Sequence, residues 1–191
     1  MDTNARKRKE REMKKIVVVC LFILGGLVMT YAAEPLPTLE TVPKVDLTRY
    51  TGLWYEFARF PNRFEDPECT NVTAEYTLRP DGKITVVNSC FLRAKNKQKR
   101  VKGKAWVVDP STNAKLKVSF FWPFSGKYWI IGLADDYSWA LVGEPERKYF
   151  WILTRSTVLE KPVLDKIGEI MKAKGFDPNR LIFPDHEVKI N

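Results

Sequence analysis

Residues 70–92, TNVTAEYTLRPDGKITVVNSCFL, decide the fold. Val72, Ala74, Tyr76 and Leu78 alternate with Asn71, Thr73, Glu75 and Thr77. Pro80-Asp81-Gly82 then supplies turn chemistry, since Pro presets φ and Gly accepts a positive one. Alternation resumes through Leu92. The whole reads as an antiparallel hairpin with one apolar face. Cys69 and Cys90 lie at its far end, where pairing of the strands brings them together as a disulfide or as two buried thiols.

The pattern repeats outward from this hairpin. Residues 53–60, 100–109, 114–122, 127–133, 137–142 and 149–155 read as six more strands, with turn signals such as Pro110–Asn113 between them. Eight strands at short spacing favour an all-β, eight-stranded antiparallel up-and-down barrel over its alternative, a two-sheet sandwich, because closure removes free edges. A barrel of this size holds side chains or one small ligand. One helix follows at residues 162–174. Val163, Ile167 and Ile170 share a face, with Leu164 and Met171 beside them; Pro162 suits the first turn and Gly175 the stop. Its apolar face is expected to pack outside the barrel, over the nearly all-apolar last strand.

Composition narrows the chemistry. The chain of 191 residues has room for one ordinary domain. A single His, His186, and three scattered Cys exclude a two-His zinc site and a zinc finger, so no metal and no cofactor is expected. The net charge of +9 raises the question of nucleic acid, but part of it sits in residues 1–33. There a basic run precedes 14 apolar residues, IVVVCLFILGGLVM, and then Thr30-Tyr31-Ala32-Ala33. Such a run is short of the ~20 residues of a membrane span and reads as a secretory signal peptide, or alternatively as a retained anchor. This leader carries seven basic and three acidic residues, leaving residues 34–191 at +5. No nucleic-acid partner is therefore expected. Export to an oxidising compartment supports the disulfide.

Loop lengths separate the two barrel ends. Loops 61–69, 93–99, 121–127 and 143–148 are long, whereas those near residues 80–82, 110–113 and 134–136 are tight. Successive loops of an up-and-down barrel alternate ends, so the long ones share the open mouth. Arg63, Arg93, Lys95, Lys97, Lys99, Arg100 and Lys127 gather there with Phe64, Phe121, Trp122 and Phe124. A basic rim mixed with aromatics suits an anionic amphiphile or an anionic membrane surface.

Alternation also assigns a pocket. The first strand contributes Glu56 and Ala58, in phase with Trp54; the second contributes Val72, Ala74 and Tyr76, and the third Val86 and Asn88. Leu116, Val118 and Phe120 come from the fifth strand, Trp129 and Ile131 from the sixth, and Trp139 from the seventh. The lining is mainly apolar with few polar groups, as small-molecule sites are. Each position reads either as ligand contact or as core filling. Glu56 reads either as a headgroup partner or as part of a structural hydrogen-bond network.

Gly52-Leu53-Trp54-Tyr55-Glu56 opens the first strand, and this Gly-x-Trp resembles the lipocalin signature. Asp135-Asp136-Tyr137 resembles the second lipocalin motif with its Thr replaced, and Arg155 matches the basic residue of the third. NVTAEYTL, DGKITVVN and AKLKVSFFWPF are similar to the bacterial (Blc-type) branch, akin to apolipoprotein D. The resemblance covers residues 45–183 and makes residues 34–191 one lipocalin domain. It implies that Gly52, Trp54, Asp136, Tyr137 and Arg155 are structural, with Arg155 lying across Trp54. It implies carriage of fatty acids, lysophospholipids or similar amphiphiles in the bacterial envelope. Its members are commonly lipidated at the outer membrane, but Cys20 lies inside the apolar run, after Val19, which favours a soluble periplasmic form. The alternative is a lipocalin-fold enzyme. That would require a free thiol or a carboxylate pair in the barrel, and no nucleophile–base pair can be assembled here, so no catalytic residue is assigned. Oligomeric state stays open between monomer and homodimer.

Overall fold

Each strand of the computed structural model pairs with its sequence neighbour, β1 (Gly52–Arg59), β2 (Cys69–Leu78), β3 (Ile84–Leu92), β4 (Lys97–Val107), β5 (Lys115–Ser119), β6 (Gly126–Leu133), β7 (Trp139–Gly143) and β8 (Phe150–Thr154). β8 then pairs antiparallel with β1 and closes the barrel. The structure describes residues 36–186; the expected leader at 1–33, with Cys20, lies outside the described residues. Residues 36–46 carry no regular secondary structure, and a one-turn helix that alternation did not reveal, α1 (Leu47–Tyr50), follows them. Asp46 caps α1 by accepting from the Thr48 and Arg49 amides. Cys69 and Cys90 form a disulfide with a Cα separation of 5.4 Å.

Helix α2 (Lys161–Ala173) lies against the outside of the barrel. Ile167 and Met171 are fully buried among Ile152, Leu141 and Phe150, with Val163 and Ile170 flanking. This explains why β7 and β8 are apolar on both faces: one face meets the lumen and the other meets the helix.

Three β-bulges interrupt the alternation, in β1 between Glu56 and Ala58, in β2 between Thr70 and Thr73, and in β6 between Ile130 and Gly132. A bulge takes backbone groups out of the ladder, and buried ones need partners. The terminal segments provide them. Val42 N–H donates to the Ile130 carbonyl at 3.0 Å, and Asn71 N–H donates to the Asp185 carbonyl at 2.8 Å. The lone histidine, His186, places Nε2 at 2.7 Å from the Glu56 carbonyl and its ring edge-on to Tyr55. Its role is thus to satisfy a backbone carbonyl.

The bulges also overturn part of the inward assignment. Glu56 pairs with Leu153 and faces the lumen, but Phe57 is the extra residue, so Ala58 pairs with Ile152 and lies on the helix side. Ile131 and Trp139 are buried in the same layer under α2, and Trp129 packs against it. The lumen instead receives Tyr128, Ile130, Ala140 and Val142.

The tight-loop end is sealed by one constellation. Trp54 is fully buried, and the Arg155 guanidinium lies 3.8 Å above its ring. Arg155 also donates to the carbonyls of Leu53, Arg49, Tyr50 and Thr51, collecting the unpaired end of α1. Gly52 has φ +96°, a conformation that side-chain-bearing residues rarely adopt, and this is what requires glycine there. Tyr137 accepts from the Asp46 amide while Arg49 stacks on its ring at 4.1 Å; Asp136 caps the turn through Ser138. Trp54→Ala is expected to cost about 3–5 kcal/mol through the cavity it leaves. A thermal melt checks this, and an unchanged midpoint would contradict a sealing role.

Candidate functional site: an open barrel lumen

Ala74, Tyr76, Val86 and Leu116 come together on the lumen wall, with Val118 and Phe120 packed against them. Asn88 pairs with Ala74 and Val101 on the same inward phase, yet it is exposed. A residue facing inward and still wetted means that the cup is open to water at that level. Val72 sits beside the disulfide and Leu92 in a smaller apolar group.

Sequence alternation missed the polar groups of this lumen. On the mouth side of the β1 bulge, Arg59 pairs with Trp151, on the strand face that lines the lumen. Its Nε lies 2.9 Å from Glu56 Oε1 and 2.9 Å from Glu65 Oε2. Glu65 belongs to the first mouth loop and is held by Trp151 Nε1 at 3.1 Å and Asn62 Nδ2 at 2.9 Å. A single Nε–H thus stands between two carboxylates, and both Glu56 and Arg59 are buried. Burial pushes the Glu56 carboxyl well above its ordinary range, and the negative charge of Glu65 adds to the effect, while Arg59 opposes it. Burial therefore favours the protonated form of Glu56. The partners around Glu56 are thus an arginine and a second carboxylate.

Deeper in the barrel, three phenols meet. Tyr50 from α1 and Tyr76 from β2 each place a hydroxyl against that of Tyr128 on β6, at 2.7 and 3.0 Å. Burial raises all three pKa values, that of Tyr76 to about 12. Of the three only Tyr76 was expected. The sequence did carry a signal for Tyr128: Lys127, Trp129 and Ile131 share a face, and a lysine marks that face as outward.

The mouth differs in part from the basic rim expected. Arg93 is paired with Asp185 at 2.6 Å, and Lys127 is paired with Glu146. Lys97, Lys99 and Arg100 are exposed on residues 97–103 of β4, which extend past the β5 pairing. The aromatics are not tucked inward. Phe121, Trp122 and Phe124 are 72, 77 and 77% exposed, and the Trp122–Pro123 bond is cis.

The family model of the lipocalin-like domain matches residues 45–186. The chain belongs to the lipocalin family. It is 41% identical to the outer membrane lipoprotein Blc of Vibrio cholerae, over 87% of this chain and 95% of that protein. It is 34% identical to apolipoprotein D of Macaca fascicularis, over 74% of this chain and 77% of that protein. Among solved structures, insecticyanin of the tobacco hornworm Manduca sexta superposes with a TM-score of 0.64 at 22% identity, covering 81% of this chain and 87% of that one. The last likeness concerns the barrel alone.

The raised Glu56 value makes a stability statement. The folded lipocalin holds this proton more tightly than the unfolded chain, so stability falls as pH rises from the ordinary glutamate range through the raised value. Glu56→Gln removes the charge and is expected to flatten that fall. Its advantage over the wild type grows by about 1.4 kcal/mol per pH unit until the raised value is passed. Urea unfolding of both proteins between about pH 5 and 8 checks this; parallel curves would contradict it.

Proposed function

We propose that this lipocalin binds and carries lipids, specifically fatty acids, lysophospholipids or similar single-tailed amphiphiles, in the bacterial cell envelope. The observation that supports it most is a largely apolar wall that is wetted at Asn88 and closed below by Tyr50, Tyr76 and Tyr128. The tail lies in the cup, and the headgroup stays near the basic strand end of the mouth. The similarity to outer membrane lipoproteins supports an exported protein associated with the envelope, and the leader composition favours the periplasm. Binding rather than catalysis fits the site. The sulfurs of Cys69 and Cys90 are bonded to each other, and the carboxylates of Glu56 and Glu65 are both engaged by Arg59.

Burial of each tail CH₂ is worth about 0.8 kcal/mol before ordering costs. Lengthening the tail within the depth of the cup is therefore expected to tighten binding by roughly two- to fourfold per methylene. Titrations of fatty acids and lysophospholipids of graded length, followed by tryptophan fluorescence, measure this. Absence of saturable binding in every lipid class would overturn the proposal.

The exposed loop aromatics favour an accompanying membrane contact. Phe121, Trp122 and Phe124 stand together on a mouth loop, with the Lys104 ammonium 4.9 Å from the Trp122 ring centre. Exposed aromatics beside cations partition into the interface of an anionic bilayer. Phe121→Ser/Trp122→Ser is expected to abolish co-sedimentation with anionic vesicles while leaving affinity for a monomeric lipid in solution unchanged. Retained sedimentation would remove the loop from membrane contact.

A further inference from the structure

The phenol group at the base of the lumen carries more hydrogen than its own bonds use. β2 and β6 stand on opposite sides of the closed eight-strand cycle, so the Tyr76 and Tyr128 hydroxyls, 3.0 Å apart, meet across the lumen. Tyr50 rises from α1, above Trp54, and joins Tyr128 at 2.7 Å. The hydroxyls form an open chain of two hydrogen bonds. Three hydroxyls supply three protons, and two bonds consume two of them. Whichever way the chain is oriented, one O–H is left over, and these hydroxyls make no further hydrogen bond among the described residues. The surrounding wall of Ala74, Val86 and Leu116 offers no acceptor side chain.

A tail lowered into this cup thus ends on a proton donor rather than on hydrocarbon. Resting on the reading of the lumen as a lipid site, we propose that the spare hydroxyl proton of the Tyr50–Tyr128–Tyr76 chain recognises an oxygen acceptor at the buried end of the ligand. The preferred lipid class is a long-chain amphiphile oxygenated at its far terminus, with a hydroxyl, keto or ether oxygen there. A methyl terminus strips water from the donor and returns nothing, whereas an oxygen terminus accepts the proton. Leaving a buried donor unpaired costs more than an ordinary hydrogen bond contributes, which sets the discrimination at about tenfold or more. The basis is position, not polarity: an oxygen near the headgroup never reaches the phenols.

The test compares plain, 2-hydroxy and ω-hydroxy fatty acids of equal chain length, from about C10 to C18, by isothermal titration calorimetry on the wild-type protein. The expected result is an affinity gain of about tenfold for the ω-hydroxy acid at the lengths that reach the floor, and none for the 2-hydroxy acid. In Tyr50→Phe/Tyr76→Phe/Tyr128→Phe, which preserves ring volume, the ratio of ω-hydroxy to plain acid affinity is expected to fall to about one. Should that variant fail to fold, tyrosine difference absorption of the wild type reads the same contact, shifting with the ω-hydroxy acid and not with the plain one. Equal affinities for plain and ω-hydroxy acids, or a gain that survives in the triple variant, would overturn the inference and leave lipid carriage standing. Failure of every acid and of every lysophospholipid to bind would overturn the carriage itself.

Discussion

The guanidinium of Arg155 is the contact on which the closed end of this barrel depends. A one-turn helix is too short to hold itself, because nearly all its carbonyls lack an internal partner. Arg155 gathers those of Arg49, Tyr50 and Thr51 together with that of Leu53, and it stacks on the Trp54 ring beneath. The planar fork of arginine suits this work, since it can donate in its own plane while its face meets an aromatic ring. Once α1 is fixed, Tyr50 is fixed, and with it the height of the lumen floor. Trp54 Nε1 closes the arrangement by donating to the Tyr50 carbonyl at 2.8 Å. A side chain just beyond the end of β8 therefore fixes the level of the lumen floor.

Interruptions in the strands matter as much as the strands themselves. Period-two alternation finds the strand set and the hairpin, whose far end places the two cysteines, and the three- and four-residue spacing of Val163, Ile167 and Ile170 finds the helix, because each follows from a local pattern. It also places Ala74, Tyr76, Val86, Leu116, Val118 and Phe120 correctly on the lumen wall, since no bulge intervenes between them. It fails at Ala58, where one extra residue in β1 reverses the phase, and nothing in the run EFARF marks that residue. At Trp139 the failure has another cause. α2 buries the outer face of β7, so both faces of WALVG are apolar and the contrast that alternation reads is gone. Trp129 and Ile131 were legible in principle, through the outward Lys127 that shares their face.

The bulges account for the polar chemistry as well. The phase reversal in β1 turns Arg59 into the lumen beside Glu56, a pair that strict alternation would put on opposite faces. Three-residue spacing without a bulge gives no such contact in a strand. The same irregularities unpair backbone groups of β1, β2 and β6, and the segments before β1 and after α2 restore the partners through Val42, His186 and Asp185. The terminal straps are thus integral to the site, because they stabilise the distortions that create it. Local patterning carries no sign of this coupling, since it joins residues distant in the chain and involves mostly backbone atoms.

Charge is sorted by depth. Inside the cup, Arg59 stands between Glu56 and Glu65, burial favours the protonated form of Glu56, and the raised pKa values keep the three phenols uncharged. The interior therefore presents polar groups without net charge, and an alkyl chain can displace water from it without uncovering an unbalanced ion. Cations without an ion pair among the described residues lie outside, on the exposed end of β4 at Lys97, Lys99 and Arg100, where water solvates them and where an edge strand needs charge to deter pairing. In the carriage we propose, that edge attracts an anionic headgroup over long range, and the lumen takes up the tail by burial and by hydrogen bonding on the floor. Separating the two tasks lets each work where it is strongest: charge in steering from solvent, and directional hydrogen bonds where water has been excluded.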